Sequence, residues 1–258
     1  MAHKMLFFVF LYFTSALALS IPLAKRVTFN FVWDIADPLP NQDQYQSLVE
    51  DDFRTEMQGI YEMATVARDY IADNGAGARS SSFGFYFGLA PTPLDALTIR
   101  SNFQRVIDLA TNNRQLTIRF TDRDSTEWPG AQAYATASGT LSIYLPRYEA
   151  YTQHRHWVAN PFEQVALDRT QTRSNIILHE LFHITGIGQQ VNGQPLIDCE
   201  YPEGYDETFI TRNGQRVRNF VYGQTAANRL VRRSGFEQAR RSAENHSLFA
   251  FSKYTKYE

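Results

Sequence analysis

Two histidines, His179 and His183, stand four positions apart with Glu180 between them. On an α-helix that spacing points both imidazoles the same way, with β-carbons roughly 5–6 Å apart. Their nitrogens can then converge on one cation, each about 2.0–2.1 Å from a zinc ion. Glu180 is rotated away from the ligand direction and is placed to take a proton from a water held by that ion. The flanking Ile176, Ile177, Leu178, Leu181, Phe182 and Ile184 make the helix apolar nearly all round, which predicts burial. Two imidazoles and a carboxylate in such a helix are costly unless something satisfies them. Gly186, seven residues after His179, is expected on the same face, leaving room beside the metal.

A catalytic zinc takes three protein ligands and keeps one position open. Beyond the helix, Asp198, Glu200, Glu203, Asp206 and Glu207 offer carboxylates. Asp198 is favoured over Asp206, because Leu196 and Ile197 can anchor it against the core while Asp206 lies in a polar stretch. Other histidines compete weakly. His154 and His156 alternate and would share one face of a strand, but ordinary loop residues are the simpler reading. His246 reads as structural, and His3 falls in the leader. The single cysteine, Cys199, excludes an intrachain disulfide and is expected to be buried and inert, with a metal-ligand or interchain role as the minor alternative.

Several elements must position these groups. Val27 to Ile35, rich in β-branched and aromatic residues, predicts a first strand. From Gln44 to Asn74 the spacing turns helical, with Leu48, Phe53, Met57, Ile60, Ala64 and Ala67 on one side, until Gly75 and Gly77 end it. A second helix is expected over Leu94 to Thr111. Leu116 to Phe120 reads as a strand, and Ala133 to Pro146 as two strands turning at Ser138 and Gly139. Tyr148 to Asp168 is aromatic and irregular. The motif helix is expected to start near Thr172 and to run until Gly186 and Gly188. Gly223 to Arg233, Phe236 to Arg241 and Ala243 to Lys256 read as three more helical pieces. The order predicts an α+β fold in one domain over 27–258.

Ahead of that domain, residues 1–20 have a short basic start, an apolar run from Met5 to Phe13 and small residues at Ala16, Ala18 and Ser20. A membrane span needs about 20 apolar residues, so this reads as a cleaved secretory signal. Residues 21–26 end in the dibasic Lys25-Arg26, either a processing site or an ordinary charged stretch. The expectation is a secreted, extracellular monomer with no membrane association after signal removal. A net charge of −2 over 258 residues argues against a nucleic-acid partner. The basic stretch Arg229 to Arg241 reads as a solvated helix face. Asn245 heads a glycosylation sequon, but its place in an apolar helix argues against use.

Two downstream segments carry a family likeness. Val221 to Arg232 and Ser242 to Tyr254 resemble the C-terminal part of the deuterolysin-like fungal zinc metalloendopeptidases, the aspzincins. Those proteins have Tyr-Gly before an alanine-rich helix, then a segment close to Asn-Ala-Asp-Ser-Tyr-Ala-Leu-Phe-Ala. Here Ala243 and Leu248 to Ala250 are kept outright. The strand pair Ala133 to Pro146 resembles the family's stretch before its catalytic helix, and the likeness covers roughly the second half of the chain. Two other groups fit less well. Metzincins carry a third histidine ten residues after the first, where this chain has Gln189, and the Asn-Glu-x-x-x-Asp pattern of thermolysin-like enzymes is not found.

The resemblance implies a zincin-like domain with a small mixed or antiparallel sheet, a buried His-Glu-x-x-His helix and further C-terminal helices. In the family signature, Gly-Thr-x-Asp-x-x-Tyr-Gly, the aspartate is the third zinc ligand. Counting back from Tyr222-Gly223, the aspartate position holds Asn219, and Arg216-Val217 replace the Gly-Thr pair. An amide oxygen is a poor zinc ligand beside a carboxylate. The Asp-x-x-Tyr spacing is kept instead at Asp198 and Tyr201, whereas Asp206 is followed at that spacing by Phe209. Asp198 is therefore the expected ligand. Tyr201 is the first candidate for a hydroxyl that stabilises the oxyanion, and Tyr222 the second. The family is also disulfide-linked and carries a long propeptide, and neither is expected here.

The resulting expectation is a zinc endopeptidase acting on an extended protein or peptide. Its catalytic groups would be Glu180 and Tyr201, its metal ligands His179, His183 and Asp198, and its cofactor Zn2+. The substrate is expected along an edge strand near Thr140 to Pro146. A zinc-binding protein of the same fold without proteolysis, and a structural protein that acts by binding, are the alternatives.

Overall fold

The computed structural model describes residues 28–36, 41–74, 81–88, 92–111, 114–126, 131–150, 172–200, 209–210, 216–217 and 220–255. Strand β1 (Phe29–Asp34) is followed by the long helix α1 (Gln42–Asn74), the short α2 (Ser81–Phe87) and α3 (Pro93–Asp108). Strands β2 (Leu116–Thr121), β3 (Ala133–Ala135) and β4 (Thr140–Tyr144) come next, then a one-turn helix, α4 (Leu145–Tyr148). The motif helix α5 (Arg173–Leu181) precedes a two-residue hairpin, β5 (Phe209–Ile210) with β6 (Arg216–Val217). Helices α6 (Gln224–Ala239) and α7 (Ala243–Thr255) close the order. The fold is α+β, with a four-stranded mixed sheet and several helices.

Sheet order is β1-β2-β4-β3. β1 runs parallel to β2, β2 parallel to β4, and β3 antiparallel to β4 with Ala133 opposite Ile143 and Ala135 opposite Leu141. The predicted turn at Ser138-Gly139 forms this hairpin. β4, however, has β2 on one side and β3 on the other, so among the described residues the edge strands are β1 and β3, and the edge beside β4 is β3. The expectation of an edge strand near Thr140 to Pro146 is corrected accordingly.

Helix α1 buries Val49, Phe53, Met57, Ile60, Ala64, Ala67 and Ile71. These residues are three or four apart, the spacing of a single helical face. The spacing puts Leu48 on that face as well, but it is 63% exposed. One residue short of Val49, it is turned about 100° off the stripe. Helix α2 was not anticipated. It is seven residues long, too short for a periodicity to show, yet Phe83, Tyr86 and Phe87 are buried. At the head of α3, Thr92 Oγ1 accepts from the Asp95 N–H, and Asp95 accepts from the Thr92 N–H, a reciprocal cap. Two of the three expected C-terminal pieces are one helix, α6, which runs through Gly235. A single glycine costs a helix only about 1 kcal/mol and need not break it.

Candidate metal centre

Helix α5 starts where Thr172 caps it by accepting the Asn175 N–H at 3.2 Å. Arg173 then fastens it to two other elements. Its guanidinium pairs with Asp52 of α1 at 2.6 Å and donates to the carbonyls of Tyr148 and Glu149 at 3.0 and 3.1 Å. Every residue of α5 is buried except Glu180. In a helix otherwise sealed from water, the one position with access is the glutamate between the histidines.

The helix ends sooner than expected, at Leu181. The N–H groups of Phe182, His183 and Ile184 bond to the carbonyls of His179, Glu180 and Leu181 at 3.0–3.1 Å. These bonds span three residues rather than four, so the chain tightens and His183 stands on a narrower turn. Gly186 has a φ of +82° and lies in the turn beyond, not on the helix face predicted for it. The chain folds back so closely that a Cβ on Gly188 would sit 2.0 Å from the Phe182 carbonyl oxygen. Only glycine permits that approach.

The segment Leu196 to Cys199 is held between two other parts of the chain. The Ile197 N–H donates to the Arg241 carbonyl at 2.9 Å, and the Ala243 N–H to the Ile197 carbonyl at 3.1 Å. The Val221 N–H donates to the Cys199 carbonyl at 2.8 Å. So clamped, the segment presents Asp198 to the histidines. Asp198 Oδ1 lies 2.9 Å from His179 Nε2 and 3.4 Å from His183 Nε2, and the two Nε2 atoms are 3.2 Å apart.

Protons on the far sides of the rings decide what these atoms can do. His183 Nδ1 is 2.9 Å from the Leu196 carbonyl oxygen, which can only accept, so Nδ1 donates. His179 Nδ1 is 2.8 Å from Glu244 Oε2 and donates likewise. When both rings are neutral, as metal binding requires, each turns an Nε2 lone pair toward the carboxylate of Asp198; without a cation there, a proton on His179 Nε2 meets the carboxylate instead. One proton can bridge only two of the three atoms, whereas a metal cation binds all three. Ligands about 2.0–2.1 Å from a tetrahedral zinc stand roughly 3.3–3.4 Å apart, close to the spacings observed. The three residues form a group that could hold a metal ion.

The charges follow the same pattern. Burial works against a protonated His179, but hydrogen bonds to Asp198 and Glu244 outweigh it and raise its basicity well above that of ordinary imidazole. Burial would raise the Asp198 carboxyl, yet the two histidines hold it well below the usual carboxylate range. Desolvation raises Glu180, a shift opposed by His179 and His183 and by a hydrogen bond from the Ala135 backbone N–H. Ala135 belongs to the edge strand β3. Tyr222 is half exposed, with its ring centroid 5.7 Å from that of His179. Desolvation at its hydroxyl, then the charges of Asp198, Glu180 and Glu244 and a hydrogen bond to Asp198, raise the phenol far above its ordinary value.

Of the residues singled out from the sequence, the structure brings together His179, Glu180, His183 and Asp198, with Tyr222 beside them. Tyr201, Asp206, Asn219, His154, His156 and the leader with Lys25-Arg26 lie outside the described residues. Cys199 is buried, its thiol donates to the Gln238 carbonyl at 3.5 Å, and burial pushes its pKa up to about 11. Asn245 is fully buried, and its amide donates to the Tyr86 carbonyl at 2.6 Å, which closes the sequon to glycosylation in the folded chain. Glu244 was missed. It is buried beside Asn245, His246 and Ser247, and that run of polar residues inside an apolar helix was the available signal.

No protein-family model matches the chain, and no curated protein does. Among solved structures, a zinc peptidase from Grifola frondosa aligns at 16% identity over 76% of this chain and 94% of that one, with a TM-score of 0.44.

Proposed function

We propose that this chain is a secreted, monomeric zinc-dependent endopeptidase acting on extended protein or peptide substrates. One observation carries the reading: three lone-pair donors converge at zinc-ligand spacings beside the only unburied residue of α5, a glutamate. His179, His183 and Asp198 would hold the ion and leave a position for water. Bound there, zinc would lower the pKa of that water to about 7 and polarise the scissile carbonyl.

Glu180 accepts the proton of the attacking water and delivers it to the leaving amine. Ala135 of β3 lies close enough to Glu180 to lower its carboxyl pKa through its backbone N–H, and the outer edge of that strand would offer main-chain hydrogen bonds to an extended peptide. A tyrosine hydroxyl would donate to the developing oxyanion. Tyr201 takes that role by its spacing from Asp198, and the position of Tyr222 beside Asp198 supports it as the second candidate. Among the described residues no helix is long and apolar enough to cross a membrane.

The test is zinc content together with cleavage of an unfolded protein, measured on protein recovered from culture medium. Both are expected. Zinc without cleavage would favour the non-proteolytic alternative, for which Asn219 at the family's aspartate position speaks. Neither would leave only a structural or binding role.

A further inference from the structure

Glu244 lies at the start of α7, where the Ala243 N–H bond to Ile197 ties that helix to the segment carrying Asp198. Its carboxylate is buried and makes two directed contacts. Oε2 faces His179 Nδ1 at 2.8 Å, and Oε1 accepts the Gly223 N–H at 2.7 Å. An ionised carboxylate only accepts, so the proton of the neutral imidazole is drawn to Nδ1 and the lone pair left on Nε2. Gly223 immediately follows Tyr222, whose ring centroid lies 5.7 Å from that of His179.

We infer that Glu244 is a positioning residue that sets the His179 tautomer for metal binding and holds the Tyr222-Gly223 backbone against the same imidazole. The inference rests on the zinc reading above, and it assigns to α7 a part in the site that the motif itself does not reveal. It also explains a buried glutamate in a helix whose other inward residues include Leu248, Phe249, Ala250 and Phe251. A single carboxylate there joins two segments of the site, and an apolar residue could join neither.

Glutamine at this position has nearly the same shape but the wrong hydrogen-bonding pattern. With its oxygen on the Gly223 N–H, its NH2 faces Nδ1 and forces the ring proton onto Nε2, where a metal must bind. With the amide reversed, two N–H donors meet at Gly223. Outer partners of ligating histidines typically contribute about 10–100-fold in metal affinity. The experiment measures zinc dissociation constants by chelator competition for wild type, Glu244→Gln and Glu244→Asp, with melting temperatures in chelator. Two-bond 15N–1H spectra of zinc-loaded wild type report the His179 tautomer.

Glu244→Gln is expected to bind zinc about 10–100-fold more weakly at a melting temperature near wild type. Glu244→Asp, which keeps both acceptors on a shorter stem, should recover part of the loss, and the wild-type proton should be on Nδ1. A folded Glu244→Gln variant with wild-type affinity, or a lowered melting temperature with no change in affinity, overturns the inference and leaves the zinc reading standing. If that variant does not fold, the wild-type spectrum decides, and metal bound through Nδ1 overturns the inference. A wild-type chain that binds no zinc removes both.

Discussion

Glu180 and Glu244 act near one imidazole and differ in what they touch. Glu244 is engaged at both oxygens, whereas Glu180 keeps access to solvent and receives the Ala135 N–H. Glu180→Gln should therefore leave zinc affinity near wild type and lower turnover by several orders of magnitude, because the proton acceptor goes and the ligands stay. Metal analysis and steady-state cleavage check this, and a variant as active as wild type would remove the hydrolase reading. Asp198→Ala should abolish tight zinc binding while Asp206→Ala leaves it intact; the reverse pattern would move the third ligand to Asp206. The histidine pair and Glu180 were legible because their geometry depends on spacing within one helix. Asp198 could be ranked from its apolar neighbours and its spacing to Tyr201. Glu244, 65 residues from His179, could not be assigned, because its contact exists only once α7 packs against α5.

At the scale of elements, periodicity carried most of the reading and failed where tertiary contacts decide. The buried stripe of α1 is visible in the sequence, but Leu48 and Val49 are equally apolar and only packing shows that Val49 begins it. The β3–β4 hairpin was visible in its turn, but which strand is the free edge depends on where β2 docks. The glycines predict an end of α5 later than the structure shows, because glycine marks a stop only approximately. Here the helix tightens at Phe182, and Gly188 is needed for the return of the chain. Gly188→Ala would drive a Cβ into the Phe182 backbone, whose carbonyl oxygen and Cα lie 2.0 and 2.6 Å from it. A backbone cannot step aside as a flexible side chain can, so the expected cost is about 1–3 kcal/mol or more. Because Phe182 precedes His183, weaker zinc binding should accompany it. Urea denaturation and chelator competition measure the two effects, and a variant unchanged in both would show that the turn adapts.

Across the whole molecule, the site depends on helices from both ends of the chain being held to one another. Asp52 pairs with Arg173, Asp95 with Arg240, and Asn102 with His246. The last of these joins α3, α7 and the turn after the motif, because Asn102 also donates to the Gln189 carbonyl at 3.0 Å and accepts its N–H at 2.9 Å. His246 is fully buried among Phe87, Phe103 and Phe182. Its Nδ1 donates to the Ser242 carbonyl at 2.8 Å, which leaves Nε2 to accept from the Asn102 amide at 3.2 Å. A proton on Nε2 would break that bond and place a charge among aromatic rings, and burial accordingly lowers the His246 pKa to about 4. Unfolded, the same side chain titrates near 6.5. Between those values the unfolded chain binds a proton that the folded chain refuses, so stability is full above about pH 6.5 and falls as pH drops toward about 4. At about 1.4 kcal/mol per pH unit, the loss from this residue alone is about 2–3 kcal/mol between about pH 7 and about pH 4.5. Other groups also make stability depend on pH, so the comparison must be with a variant that lacks only this one. His246→Gln keeps a polar side chain and cannot gain the proton. Its unfolding free energy, measured by urea denaturation at both pH values, should change less than that of wild type by that amount. Parallel losses in the two proteins would show that His246 accepts its proton without disturbing the packing of α3 and α7.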